Sequence, residues 1–295
     1  MPDKVVTIGI FTLPRRLAPL VLQNKKLLYD LLFRTSAKTL REVARNPQRL
    51  GAEIGFFSVL HTWSQKLELH PHVHCVVPAG GLSPDHTRWV RSRDNYFLPK
   101  KVLRKVFRGK FVDALKQAFQ NGQLNFQGDL ALLAQPGIFA AWLQPLFHQH
   151  WVVFLIRPFG GPEYVLQYLG RYTHLVAISN HRLISFSDGQ VSFRWRDSAH
   201  NNEQKLMTLS LDEFLRRFLL HILRKASCAS ATSVSWPTGG VSCSYRFAFT
   251  FSARYNSRKL NETSPPPKTL PISGTAPSVL ARRRSRMLGL HDHHE

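Results

Sequence analysis

The sequence predicts an α+β fold, an antiparallel sheet flanked by helices, followed by a C-terminal tail of little order. Three observations carry that expectation. The apolar runs Phe56–Thr62 and Val73–Pro78 read as two strands joined by nine or ten residues, and this pair carries the histidines. Residues 24–46 and 99–121 carry apolar residues at helical spacing. After Leu223 no periodicity is sustained, and Ser, Pro and Arg dominate.

Taken in order, Val5–Leu13 alternates apolar and small residues and stops at Pro14, a first strand. The segment 24–46 follows, with Leu27, Leu28, Leu31, Leu32, Leu40 and Val43 on a helical repeat and Asn24 as a candidate cap. The strand pair 56–62 and 73–78 comes next, then the helix over 99–121. There Val102, Val106, Phe107, Phe111, Leu115 and Phe119 gather on one side, and Lys100, Lys101, Arg104, Lys105, Arg108, Lys110 and Lys116 fill the rest. Trp151–Ile156 is a further strand. Gly160-Gly161-Pro162 then opens a helix over 163–174, with proline in its first turn. Val176–Ser187 and Val191–Trp195 bracket Asp188-Gly189, a hairpin signal, and residues 209–223 close the set as an apolar helix.

Chemistry concentrates in two places. Residues 70–74 read HPHVH, and on a strand His70, His72 and His74 share one face because side chains alternate with period two. Val73 is left for the opposite face. Two neutral imidazoles on one rigid strand are half of a divalent-metal site, although an isolated HxH is more often a solvated polar face. The second place is Tyr168-Leu-Gly-Arg-Tyr172, preceded by Tyr164. On a helix these tyrosines lie one turn apart on the same face. An aromatic core stripe is the usual meaning of that spacing, but Arg171 and His174 sit beside the pair, and this chain fills its core with Phe.

The stretch FFSVLHTWSQKLELHPHVHCVVPAGG (56–81) together with YLGRYTHLVAISNHRL (168–183) resembles the HUH-type rolling-circle transposases of bacterial insertion sequences, whose namesake is insertion sequence ninety-one. The resemblance covers about residues 7–223, with both motifs in family order. It implies a relaxase-like antiparallel sheet with helices on one side, acting as a DNA-nicking and strand-transfer enzyme with Mg²⁺ or Mn²⁺. It casts Tyr168 and Tyr172 as nucleophiles giving a 5′-phosphotyrosine, and His72 and His74 as metal ligands. Single-stranded DNA at the element ends and at the target is the implied partner.

A catalytic metal commonly keeps three protein ligands. His61 ends the preceding strand, and an antiparallel return would set it beside His72 and His74; its spacing also resembles that of the third histidine in related relaxases. His70 is the rival, about 13 Å from His74 at the strand rise, and Gln65 and Glu68 in the connection are outside candidates. For DNA, Arg171 is placed to hold a flanking phosphate, and Lys100, Lys101, Arg104, Lys105 and Arg108 form a candidate backbone track.

Composition agrees. The net charge is +22; residues 224–295 hold 11 Lys/Arg against 3 Asp/Glu, and the part before them still balances at +14. Such a surplus suits a phosphate-binding protein. No apolar run is long enough to span a membrane, and MPDKVVTIGIF reads as a strand rather than a secretory leader. Cys75, Cys228 and Cys243 make neither a disulfide framework nor a zinc module, so the bacterial cytoplasm is the expected location. No GxxxxGK[ST] phosphate loop occurs, and none is needed: exchanging one phosphoester for another requires no nucleotide cofactor.

Two departures from the family pattern stand out. Its cysteine-rich N-terminal segment has no counterpart before the first strand. Beyond Leu223 the family continuation resembles GFVRIRHFGFLANRRR, and codons exist for Lys225–Val241 that spell it in a neighbouring reading frame. The expectation is therefore a catalytic domain over 1–223 and a basic, out-of-frame tail over 224–295. A remnant that binds DNA without cutting it, and a purely structural histidine cluster, are the competing readings.

Overall fold

The computed structural model describes residues 6–157, 177–197 and 200–221, and the backbone of 231–235 and 244–248. In chain order its strands and helices are β1 (Val6–Thr12), α1 (Ala18–Gln23), α2 (Lys25–Arg45), β2 (Phe56–Trp63), β3 (Leu69–Pro78), β4 (Gly80–Leu82), β5 (Trp89–Arg91), α3 (Lys100–Gln120), α4 (Pro136–His148), β6 (Val153–Leu155), β7 (Leu183–Ser187), β8 (Gln190–Asp197), β9 (Glu203–Ser210), α5 (Leu211–Leu219), β10 (Ala231–Ser235) and β11 (Ser244–Ala248). Two compact units are formed, Met1–Trp195 with Leu206–Phe249, and Arg196–Lys205 with Thr250–Glu295. The six-stranded sheet and the helices belong to the first.

That sheet runs β11-β10-β2-β3-β1-β6, and every neighbouring pair is antiparallel. The α+β architecture expected from the sequence is the one observed. Its two faces differ because β3 alternates strictly. Val73, Cys75 and Val77 point into the main core with Phe11 of β1 and the inner faces of α2, α3 and α4. An aromatic cluster locks that side: Phe107 meets Phe11 at 5.1 Å and Trp151 at 5.4 Å between ring centroids. The even-numbered residues of β3, His72 and His74 among them, face the other way.

Several expected elements change length for local reasons. The strand expected from Val73 begins at Leu69, because the histidine run is itself part of the ladder. Asn24 sits at the N-cap of α2 without capping it. Its amide instead donates to the Asn125 carbonyl at 2.9 Å and accepts from Asn125 N at 2.8 Å, pinning the chain that follows α3. Asp188 and Gly189 both adopt positive φ, 51° and 69°, the type I′ geometry that a tight hairpin requires. The strand before that turn is shorter than expected, starting at Leu183. The helix expected over 209–223 starts at Leu211, where Ser210 Oγ accepts from Glu213 N at 3.3 Å and Glu213 lies in the first turn.

The sheet takes its two outermost strands on one side, β10 and β11, from a stretch in which the sequence shows no sustained periodicity. β10 pairs Thr232 with Val59 and Val234 with Phe57, extending the edge that β2 would otherwise leave open. The tyrosine helix expected over 163–174, with Tyr164, Tyr168, Arg171 and Tyr172, lies outside the described residues. Among the described residues, no single helix is long and apolar enough to cross a membrane.

Candidate metal centre

Register decides what the histidines can do. β1, β2 and β3 place residues in rows across the sheet: Phe57, Val76 and Ile8; then Val59, His74 and Ile10; then His61, His72 and Thr12. Cross-strand partners project from the same face, so His61 and His72 form a direct pair, with His74 diagonal to His61 and two residues along β3 from His72. The ring centroids are 5.3 Å apart for His61 and His72, 4.3 Å for His61 and His74, and 4.9 Å for His72 and His74. One ligand nitrogen from each of the three lies within 4.8 Å of the other two. Two nitrogens on one ion at bonds of ~2.1 Å stand about 3 Å apart at a right angle and about 4.2 Å apart when opposed. The three imidazoles are close enough together that they could hold one cation between them.

His70 does something else. The register shifts between His61 and Trp63, where Trp63 pairs with Leu69, and His70 is left without a cross-strand partner. Its carbonyl accepts from His72 Nδ1 at 2.7 Å. A carbonyl can only accept, so Nδ1 carries the hydrogen and Nε2 of His72 keeps its lone pair for a ligand. His70 thus orients the His72 ring through its backbone and lies outside the three-histidine group. Glu68 pairs with Arg15 at 3.2 Å, and Gln65 is exposed.

Burial favours the neutral form of His72 and His74. His61 and His74 are 2% and 4% exposed. Burial, reinforced by His61, pushes His72 down to about 3 against the bond to the His70 carbonyl. Burial again leads for His74, which sits between Val59 and Ile10 and is held well below the ordinary histidine range. A neutral imidazole is the form that binds metal.

Support for the cluster comes from a distant part of the chain. Trp63 stacks on His61 at 4.7 Å with 15° between the planes. Behind it, the fully buried His221 follows α5 and joins both sides of the β2–β3 connection. Its Nε2 lies 3.0 Å from the Leu67 carbonyl, and its Nδ1 lies 3.1 Å from Thr62 Oγ1. The carbonyl fixes the hydrogen on Nε2, so Nδ1 accepts from the threonine. Trp63 could have been anticipated, since it shares the strand face of His61 two residues on. Nothing local distinguishes His221 from any polar residue in an apolar helix.

The tyrosine segment is bounded by described residues. Ile156 N donates to the Ile8 carbonyl at 2.9 Å on one side of it. On the other, Ala177 is buried against Leu67 and Phe193, at the end of β2 and β3 that holds His61 and His72. Of the expected DNA contacts, Lys101 and Lys105 are exposed on α3 and Arg108 is half-buried beside them. Lys100 lies over the Phe154 ring at 4.8 Å. Arg104 is half-buried, with its Nη1 bonded to His150.

Residues 55–229 match the Y2_Tnp family, described as "Putative transposase". The chain is 55% identical over 214 residues to "Putative transposase y4qJ" of Sinorhizobium fredii, an alignment covering 72% of this chain and 54% of that protein. It is 33% identical over 226 residues to "Transposase for insertion sequence element IS801" of Pseudomonas savastanoi pv. phaseolicola, covering 76% and 52%. The chain therefore spans about half the length of these relatives. With the family match extending over more than half of its residues, this chain belongs to the Y2_Tnp family of insertion-sequence transposases.

Proposed function

We propose that this transposase nicks and rejoins single-stranded DNA in rolling-circle transposition, through a 5′-phosphotyrosine on Tyr168 or Tyr172 and a divalent ion held by His61, His72 and His74. The observation that carries the reading is the convergence of those three imidazoles on one sheet face. Bound there, the ion would withdraw charge from a non-bridging phosphate oxygen. Of Mg²⁺ and Mn²⁺, the second suits nitrogen donors better, because Mg²⁺ is a hard cation that prefers oxygen.

The chain's own residues supply the rest. A tyrosine phenol, with an ordinary pKa near 10, gives up its proton as its oxygen bonds to phosphorus. The 3′-oxygen departs and takes up a proton, leaving a free 3′-hydroxyl and a phosphoester on the enzyme. Ala177 lies five residues past Tyr172, so that phenol's backbone is tethered within about 18 Å of Ala177, which packs against Leu67. Arg171 would hold a phosphate flanking the cut, and Lys101, Lys105 and Arg108 would follow the strand electrostatically. In this reading the catalytic domain spans 1–223 and the tail 224–295 is out-of-frame text, with β10 and β11 an addition to the sheet edge.

The test is a denaturing gel of the purified chain with Mn²⁺ and single-stranded oligonucleotides spanning the ends of the parent element. A metal-dependent covalent adduct, lost in Tyr168→Phe or Tyr172→Phe and in His72→Ala/His74→Ala, is the expected result. Binding without any adduct would make the chain a DNA-binding relic and end the reading.

A further inference from the structure

Beyond β3 the chain forms a short hairpin that the proposed chemistry does not use. β4 pairs with β5 so that Gly80 faces Arg91 and Leu82 faces Trp89. The Trp89 indole lies against Gly80: a Cβ there would stand 2.6 Å from Nε1 and 2.9 Å from Cε2. One side of the ring is thus seated on backbone while Trp89 remains 51% exposed. Tyr96, just past the hairpin, is 45% exposed.

The hairpin is held firmly. Asp85 accepts from Ser83 Oγ, from Thr87 N at 3.2 Å and from Thr87 Oγ1 at 2.9 Å, and Ser83 N donates to the Arg88 carbonyl at 2.9 Å. Glu53 bridges Leu82 through the backbone, while its carboxylate binds Arg45 at 2.6 Å and His86 at 3.0 Å. The acids Asp85 and Glu53 are therefore engaged in building the hairpin. Arg88, Arg91 and Arg93 are exposed, and among the described residues no acid pairs with any of them. Asp94 is the remaining acid of the stretch.

A fixed, half-open indole on a hairpin whose exposed arginines make no ion pair among the described residues has the chemistry of a base-stacking platform with phosphate contacts nearby. We propose that the β4–β5 hairpin binds single-stranded DNA, Trp89 taking an unpaired base and Arg88, Arg91 and Arg93 the adjacent phosphates. A duplex cannot use this surface in the same way, because both faces of its bases are already stacked. Gly80 lies six residues past His74, at most about 20 Å of extended chain, so the platform would grip the strand within a few nucleotides of the cut. This inference rests on the reading that the substrate is single-stranded DNA.

The test measures fluorescence anisotropy of labelled oligo-dT, and of a duplex of equal length, with the full chain at fixed salt and without divalent ion. Trp89→Ala should weaken oligo-dT binding about 5- to 100-fold, the range expected for losing one stacked base. Trp89→Phe should retain most of the affinity, Arg91→Glu should weaken it too, and duplex binding should be unchanged by Trp89→Ala. Equal oligo-dT affinity for wild type and Trp89→Ala, or an equal loss on duplex, overturns the platform; urea midpoints matching wild type establish that the variants fold. The adduct assay separates the two proposals. Adduct formation with Trp89-independent binding leaves the nicking reading standing alone, and Trp89-dependent binding without adduct leaves the platform standing alone.

Discussion

His61 and His72 face each other across the β2–β3 ladder, with ring centroids 5.3 Å apart, although ten residues of chain separate them in sequence. The register shift lies between His61 and Trp63, just beyond the pair, so the register that joins the two imidazoles is undisturbed and His70 is the histidine displaced.

That displacement predicts an asymmetry among the four neighbouring histidines. His61→Ala should abolish tight Mn²⁺ binding, and His70→Ala, which keeps the backbone carbonyl that orients His72, should change it by no more than a few-fold. Titration calorimetry on each variant checks this. Equal losses for both would assign His70 to the metal.

The stacking of Trp63 on His61 predicts an effect on metal affinity without a ligand being removed. Trp63→Ala should lower Mn²⁺ affinity by about 10- to 100-fold, the usual cost of losing an orienting partner, while Trp63→Phe restores most of it. Competition against a fluorescent chelator gives the numbers, and unchanged affinity in Trp63→Ala would mean that the ring only packs.

His221 predicts a pH dependence. Burial holds its pKa below the ordinary value, so the folded chain binds fewer protons there than the unfolded chain does. Stability is then fully present above the unfolded pKa of about 6.5 and declines as pH falls below it. The urea midpoint of the metal-free chain should drop between pH 7.5 and pH 5, and His221→Gln should flatten part of that slope. Unchanged slope in the variant would show that His221 does not titrate in this window. His221→Ala should also destabilise at pH 7.5 by about 1–3 kcal/mol, because Thr62 and the Leu67 carbonyl lose a buried partner.

The cations of α3 should separate by position. Removing Lys101, Lys105 or Arg108 should each reduce the magnitude of the slope of log binding constant against log salt by roughly 0.7 for single-stranded DNA. Arg104→Ala should change that slope less, since its side chain is half-buried and its Nη1 is held by His150 rather than presented on the exposed face. Binding measured over a range of salt concentrations distinguishes the four, and a full-sized change for Arg104 would return it to the DNA track.

Much of this molecule was readable along the chain because its elements are set by local pattern. The period-two alternation through Val73, Cys75 and Val77 assigns His72 and His74 to one face before any partner strand is known. Asp188-Gly189 specifies its own turn, and the Leu and Val repeat of 24–46 yields α2 to within a residue at each end. Family membership was legible for the same reason, since motifs are local strings.

What local pattern could not supply was register and long-range contact. Whether His61 or His70 stands with His72 and His74 depends on a ladder shift that only the assembled sheet defines. Asn24 reads as a cap, and docking of the 121–127 loop recruits its amide for another task. His221 reads as a polar interruption in an apolar helix, and becomes a clamp on the metal-side connection only when α5 folds back on Leu67. Trp89 reads as one more aromatic until Gly80 is found beneath it. Each of these is decided by side chains far apart in sequence competing for the same space and the same hydrogen bonds, and that competition exists only in the folded chain.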